Sequence, residues 1–112
     1  MIDLAARLAK YTAALNQYDL DAVEQMFADA AIYASPGVGG EIAGRAAIMA
    51  AFHAYFARHS DQVNSDENVR QLDEYTLEAR WRLISSNSTR SGLQRIGFNA
   101  EGLIARVDVV ED

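Results

Sequence analysis

The sequence predicts an α+β fold in which helices pack on one face of a curved antiparallel sheet. Three observations carry that expectation. Large apolar residues recur at spacings of three and four through the first half of the chain, the signature of helices with one buried face. From Thr76 onward the period changes to two. The late strands follow one another through short turns, so they must pair antiparallel, and helices then strands is the α+β order.

The first helix is marked by Leu4, Leu8, Tyr11, Leu15 and Tyr18, and is expected to end near Gln17. Asp19 reads as the N-cap of a second helix from Leu20 to about Ala28, with Asp21 and Glu24 favoured by the dipole of its first turn. Its apolar stripe is Val23, Met26 and Phe27. Ala31 to Ala34 reads as a short strand stopped by Pro36, which forces Ser35 away from helix. Gly37-Val38-Gly39-Gly40 reads as a flexible flap leading to Gly44-Arg45 and a third helix, Ala46 to about Arg58. Ile48, Phe52, Tyr55 and Phe56 form its apolar face.

The polar, acidic run from Ser60 to Asn68 reads as a loop or a frayed strand start. Thr76 to Ile84 is a strand with Leu77, Ala79, Trp81 and Leu83 on one side and Glu78, Arg80 and Arg82 on the other. After the turn Ser85 to Thr89, Gly92, Gln94, Ile96 and Phe98 face one way. After Asn99-Ala100-Glu101-Gly102 a last strand follows, Leu103 to Val110, with Val107 and Val109 inward and Ile104, Arg106 and Asp108 outward.

Bulk properties narrow the function. The chain has 112 residues, half of them hydrophobic, which suits one domain over residues 1–112 with one core. A net charge of −6 argues against nucleic acid and anionic membrane as partners. There is no cysteine, so neither disulfides nor a thiolate site is available. The N-terminus has an acid at Asp3 and no basic segment before an apolar run, so a cytoplasmic location is expected. No apolar run approaches the roughly 18 residues of a membrane span. His53 and His59 are six residues apart with no acidic cluster, and no metal site is expected. The glycine segment lacks the Lys-Ser/Thr of a phosphate cradle, and no cofactor is expected.

Several short stretches together resemble the nuclear transport factor 2-like (NTF2-like) superfamily, with its SnoaL-like cyclases and ketosteroid isomerases. They are Tyr11, Asp19-Leu20-Asp21-Ala22-Val23, Met26-Phe27-Ala28-Asp29-Ala30-Ala31, Pro36, Gly44-Arg45-Ala46-Ala47-Ile48 and Phe98-Asn99-Ala100-Glu101-Gly102-Leu103-Ile104. Their order and spacing cover nearly the whole chain. The resemblance implies a cone: three helices close one side of a bent sheet in a cystatin-like arrangement and leave a deep pocket. It also implies a homodimer through the outer sheet face, where Glu78, Arg80, Arg82, Arg95, Arg106 and Asp108 alternate with Ile84, Ile104 and Val110. A solvated face of ion pairs is the other reading of that pattern.

Isomerase chemistry needs a carboxylate base and strong hydrogen-bond donors for an enolate oxygen. By resemblance, Tyr11 matches the oxyanion tyrosine, although a core tyrosine fits its helix stripe equally well. Gln94 falls where the family has an acidic second donor, and an amide can still donate. Ser35 falls at the general-base position, and a hydroxyl cannot take a carbon-bound proton at neutral pH. Phe27 and Phe52 fall at supporting tyrosines and cannot donate. Steroid isomerisation is therefore not expected. Glu41, close to Ser35, is a candidate substitute base or an ordinary solvated carboxylate.

The site expected from these residues has Tyr11 and Gln94 as its catalytic pair. Phe27, Ser35, Phe52, Trp81 and Phe98 contact a hydrophobic small molecule. The alternative is a non-catalytic dimeric interaction module with a filled interior, and cavity volume separates the two.

Overall fold

The computed structural model describes residues 2–112. Its elements run α1 (Leu4–Asn16), α2 (Leu20–Met26), β1 (Phe27–Ser35), a 3₁₀ turn (Pro36–Val38), β2 (Gly40–Ala43), α3 (Arg45–Arg58), β3 (Val63–Gln71), β4 (Thr76–Ile84), β5 (Thr89–Phe98) and β6 (Ile104–Glu111). Asp3 caps α1 by accepting from the Ala6 amide, and Asp19 caps α2 by accepting from Ala22. The six strands form one open curved sheet in the order β2-β1-β6-β5-β4-β3. The fold is α+β.

Four differences from the sequence reading have physical reasons. The sheet is mixed: β1 runs parallel to β6, with Tyr33 opposite Val107. These strands are far apart in the chain, so no hairpin forces them antiparallel. The second helix stops at Met26, and Phe27 is already extended at φ −96°, ψ 141°. Its ring fits the helical stripe, but its backbone pairs with Ile104. The glycine segment is an ordered turn and hairpin, β2 pairing with β1 from Ser35/Gly40 to Ile32/Ala43. Gly39 sits at φ 82° and Gly40 at φ 131°, backbone that only glycine adopts without strain. Ile104 faces inward and is buried, because the β5–β6 register shifts between Gly97 and Phe98 and opposes Ile104 and Arg106 to consecutive β5 residues.

The polar run after α3 is a full strand, β3, which covers the edge of β4 from Val63/Ile84 to Gln71/Leu77. The register breaks there between Glu67 and Arg70, at Asn68 with φ 54°. Such bulges bend their strands and give the sheet its curvature. α1 lies against β3 and α3 against β1, so the helices cover the concave face. The core they close contains Leu4, Leu8, Val23, Phe27, Ile48, Leu77, Ile96 and Val107, all essentially inaccessible. Phe27 packs edge-on between Tyr11 and Phe52, with ring centroids 5.9 and 6.0 Å away.

Candidate functional site

The core does not fill the concave face. A cavity of about 110 Å³ lies between α1, α3 and the sheet. Its walls are mainly apolar: Leu15, Phe52, Phe56, Trp81, Leu83 and Val109. Tyr11, Tyr33, Ser35, Asp66 and Gln94 bring polar atoms to it.

Strand alternation places the sheet residues. On β5, even-numbered positions turn inward, and this aims Gln94 at the cavity. Its Nε2 donates to Asp66 Oδ1 at 2.8 Å. Asp66 comes from β3 and is half-buried under α1. Thr12, one residue beyond Tyr11, donates from Oγ1 to Asp66 Oδ2 at 2.5 Å. Both carboxylate oxygens are thus held, one from a helix and one from the sheet, and no arginine, lysine or histidine contacts them among the described ion pairs. Burial raises the Asp66 pKa above its usual 3.8, and the hydrogen bonds from Thr12 and Gln94 offset only part of that.

Three tyrosines, Tyr11, Tyr33 and Tyr55, line the cavity. Tyr11 is 3 % exposed, and burial, reinforced by the nearby Tyr33 and Asp66, raises its pKa well above 10. Tyr33 is pushed up to about 12, again by burial, with Ser35 partly opposing the shift. Both are therefore neutral at physiological pH and keep their O–H donors. Ser35 Oγ accepts from the Gly37 amide and caps the 3₁₀ turn, so it belongs to the wall and its backbone. Gln62 also lines the cavity, and its buried Oε1 has no partner among the described residues.

The structure brings together Tyr11, Gln94, Ser35, Phe52 and Trp81 around one space. It does not bring Phe27 and Phe98 to that space. Phe27 is sealed in the core behind Tyr11 and Phe52, and Phe98 faces a smaller hollow with Arg7, Lys10, Met26, Gly102 and Ile104. Phe98 lies at the far end of β5, beside the register shift, and the helices there close over it. Glu41 is on the surface and pairs with Arg106 at 3.2 Å. The Gln94 amide donates to a carboxylate, a partner the sequence reading did not give it. Asp66 is the residue that sequence reasoning missed. Its only signal was the alternation of Asn64 and Asp66 within a polar run, which becomes informative once that run is a strand. No group of three or more histidine, aspartate or glutamate side chains with metal-holding geometry occurs among the described residues. No helix among them is long and apolar enough to cross a membrane.

A family model for the SnoaL-like domain matches residues 8–107. The chain belongs to the SnoaL-like domain family. No curated protein matches it. Solved structures match through the fold. An NTF2-like protein of unknown function from Exiguobacterium sp. 255-15 is 20 % identical, with a TM-score of 0.77 over 98 % of both chains. SalBIII, an epoxide hydrolase/cyclase-like enzyme with a role in pyran ring formation in the polyether salinomycin, is 18 % identical with a TM-score of 0.82. The match covers 97 % of this chain and 90 % of SalBIII. RV0760c from Mycobacterium tuberculosis, in complex with estradiol-17beta-hemisuccinate, is 16 % identical with a TM-score of 0.82 over 96 % of this chain and 92 % of that one. At these identities the likeness establishes the architecture of this SnoaL-like domain and leaves its chemistry to its own residues.

Proposed function

We propose that this SnoaL-like protein binds a small, mainly apolar cyclic molecule and moves a proton on it by general acid–base catalysis, as an isomerase, cyclase or dehydratase does. The observation that carries the proposal is the Asp66 carboxylate. It is desolvated, aligned by Thr12 and Gln94, and set in an aromatic-walled cavity beside two neutral phenols. A carboxylate with a raised pKa and no cationic partner is a stronger base than a solvated one. Structural neighbours that act on or carry cyclic molecules, SalBIII and the estradiol-hemisuccinate complex, support the same class.

The roles follow from the groups. Asp66 takes a proton from carbon beside a carbonyl. The C–H electron pair becomes the enolate double bond, and the carbonyl electrons move onto oxygen. Tyr11 donates its hydrogen bond to that oxygen, and its burial strengthens the contact. Gln94 and Thr12 act through Asp66 by holding its carboxylate in one orientation. Reversal returns the proton to the same or another carbon. Phe52 and Trp81 contact the ring.

The test is deuterium exchange at the α-carbons of β-tetralone in D₂O, followed by NMR. Asp66→Asn keeps the shape and removes the base, and lowers the protein-catalysed rate by about 10²–10⁴-fold. Equal rates in the two proteins remove Asp66 from the chemistry.

The outer sheet face is proposed as a homodimer contact, with Ile84 and Val110 exposed between its ion pairs. Sedimentation equilibrium tests it: a monomer at all concentrations for the wild type ends the idea, and Val110→Glu weakens a dimer that uses this face.

A further inference from the structure

Three polar side chains follow one another at a spacing of two along the inner face of β3: Gln62, just before the strand, then Asn64 and Asp66. Their neighbours Asp61, Val63, Ser65 and Glu67 are exposed. α1 lies against this strand and answers it turn by turn. Thr12 donates to Asp66. Asn16, one turn later, brackets Asn64: its Oδ1 accepts from the Asn64 amide at 2.7 Å, and its Nδ2 donates to the Asn64 carbonyl at 2.9 Å. A further turn of α1 would meet Gln62, but the helix ends at Asn16. Tyr18 follows in the left-handed region at φ 54° and packs its ring on Phe56, with centroids 5.3 Å apart. Its hydroxyl accepts from the Gln62 backbone amide at 3.2 Å and donates to the His59 carbonyl at 3.4 Å. The Gln62 backbone is therefore held, and its side chain is left over.

That side chain is 7 % exposed and lines the cavity. Among the described residues its Oε1 is the one buried side-chain oxygen or nitrogen without a hydrogen-bond partner. A buried acceptor without a donor is costly, and folded interiors seldom keep one. Leu15, Phe56 and Leu83 line the same cavity from α1, α3 and β4 and carry no donor. Thr12 and Gln94 are engaged by Asp66, and the Arg90 guanidinium by Glu111 and Tyr55. Gln62 and Asp66 are four residues apart on one face, roughly 13 Å at about 3.3 Å per residue, so a group held by one is not held by the other.

We propose that Gln62 sets the specificity of the cavity: its Oε1 accepts a hydrogen bond from a hydroxyl of the bound molecule, so the protein selects alcohols and phenols over compounds of the same shape that lack a donor. The proposal rests on the reading of the cavity as a ligand site and not on Asp66 as its base. The donor is neutral. Asp66 is the only acidic side chain that lines the cavity among the described residues, so an ammonium at Gln62 would be buried with no anion beside it. A hydroxyl pairs with the amide oxygen and brings no charge. Discrimination is by exclusion: a ligand without the donor leaves Oε1 buried and unpaired.

The experiment titrates four probes of similar shape into the protein: indane, 5-fluoroindane, 5-methoxyindane and 5-indanol. The ¹H–¹⁵N NMR spectrum reports binding without turnover and shows in the same measurement that each variant is folded. The wild type is expected to bind 5-indanol about fivefold more tightly than 5-fluoroindane, the contribution of one neutral hydrogen bond. 5-Methoxyindane, which only accepts, is expected to bind no better than indane. Gln62→Met keeps the length of the side chain and removes the amide, and it brings 5-indanol to parity with 5-fluoroindane. Gln62→Leu does the same. 5-Indanol bound no better than 5-fluoroindane by the wild type overturns the proposal, as does a preference that survives in both variants. Tighter binding of 5-methoxyindane than of indane means that the amide donates into the cavity, and it overturns the proposal too. If none of the four binds, this assignment and the reading of the cavity as a ligand site fall together. If Asp66→Asn leaves deuterium exchange unaltered while the Gln62-dependent preference holds, the catalytic reading fails and this assignment stands.

Discussion

Two carboxylates of the sheet, Glu78 on its outer face and Asp66 on its inner one, sit in opposite environments. On the outer face every carboxylate of the central strands meets an arginine. Glu78 on β4 receives Arg70 from β3 at 2.8 Å and Arg95 from β5 at 2.9 Å, and those bonds, Arg95 first, hold its pKa below the usual range. Arg106 spans Asp108 and Glu41, and Arg80 meets Asp112, whose pKa is also lowered, chiefly by Ser91 and then by Arg80. On the inner face Asp66 meets two neutral donors and no cation, and its pKa moves up. The difference teaches that a paired cation holds a carboxylate low and desolvation raises it; alternation turns Glu111 inward as well, but Arg90 pairs with it and lowers its pKa, so the partner decides as much as the face.

The pH consequences have opposite signs. The lowered pKa values of Glu78 and Asp112 contribute stability above the unfolded values, and it is lost as pH falls through the folded ones. The raised value of Asp66 contributes in the other sense: its contribution is full below the unfolded pKa near 3.8 and is lost as pH rises through the folded one. Ionising Asp66 therefore costs the fold some stability, because burial disfavours its charged form.

The largest expected effect comes from the apolar half of the inner face. Leu77 and Glu78 are neighbours on β4, one inward at 2 % exposure and the other outward. Leu77→Ala is expected to lose about 2–5 kcal/mol in urea unfolding, from transfer and cavity terms together. A loss well under that would mean the sheet faces differ less than their burial implies.

Next comes an exchange of environments. Gln94→Lys gives Asp66 the kind of partner that Glu78 has. The acid limb of the deuterium-exchange pH profile then moves to lower pH by about 1–3 units, and the plateau rate falls as the base weakens. An unmoved limb would show that Asp66 is not the titrating base.

Thr12→Val is nearly isosteric and removes one donor that lowers the Asp66 pKa. The limb moves the other way, to higher pH, by less than in the lysine variant. Smallest of all is Glu78→Gln. Its ion pairs are solvent-screened, so the loss of thermal stability is a few degrees at most at low salt and disappears at high salt. That holds for the dissociated chain; at concentrations where the outer face is paired the loss is larger and independent of salt, and equal losses at both concentrations count against the dimer.

Much of this was legible locally. Alternation alone oriented Leu77, Ala79 and Leu83 on β4 and Gln94 and Ile96 on β5, because a strand buried on one face must show period two. Helix spacing put Tyr11 on the buried stripe of α1, its place in a site came from the family resemblance, and the Asp19 cap is a local hydrogen bond. The second helix was read two residues too long because Phe27 satisfies a helical stripe and a buried strand start equally well. The β5–β6 register shift, which turns Ile104 inward, depends on the partner strand and has no signature in a single segment. Asp66 escaped for the same reason on a larger scale: Val63–Gln71 has no apolar alternation, so nothing in it demanded a strand.

By itself, the sequence determined three helices, the type and inward sets of β4 and β5 and the order of helices before long strands, since hydrophobic period, capping and turn chemistry act between residues close in the chain. Only the tertiary structure decided which carboxylate lines the cavity and is desolvated there. Desolvation is imposed by whatever excludes water, and for Asp66 that is α1, more than fifty residues earlier in the chain.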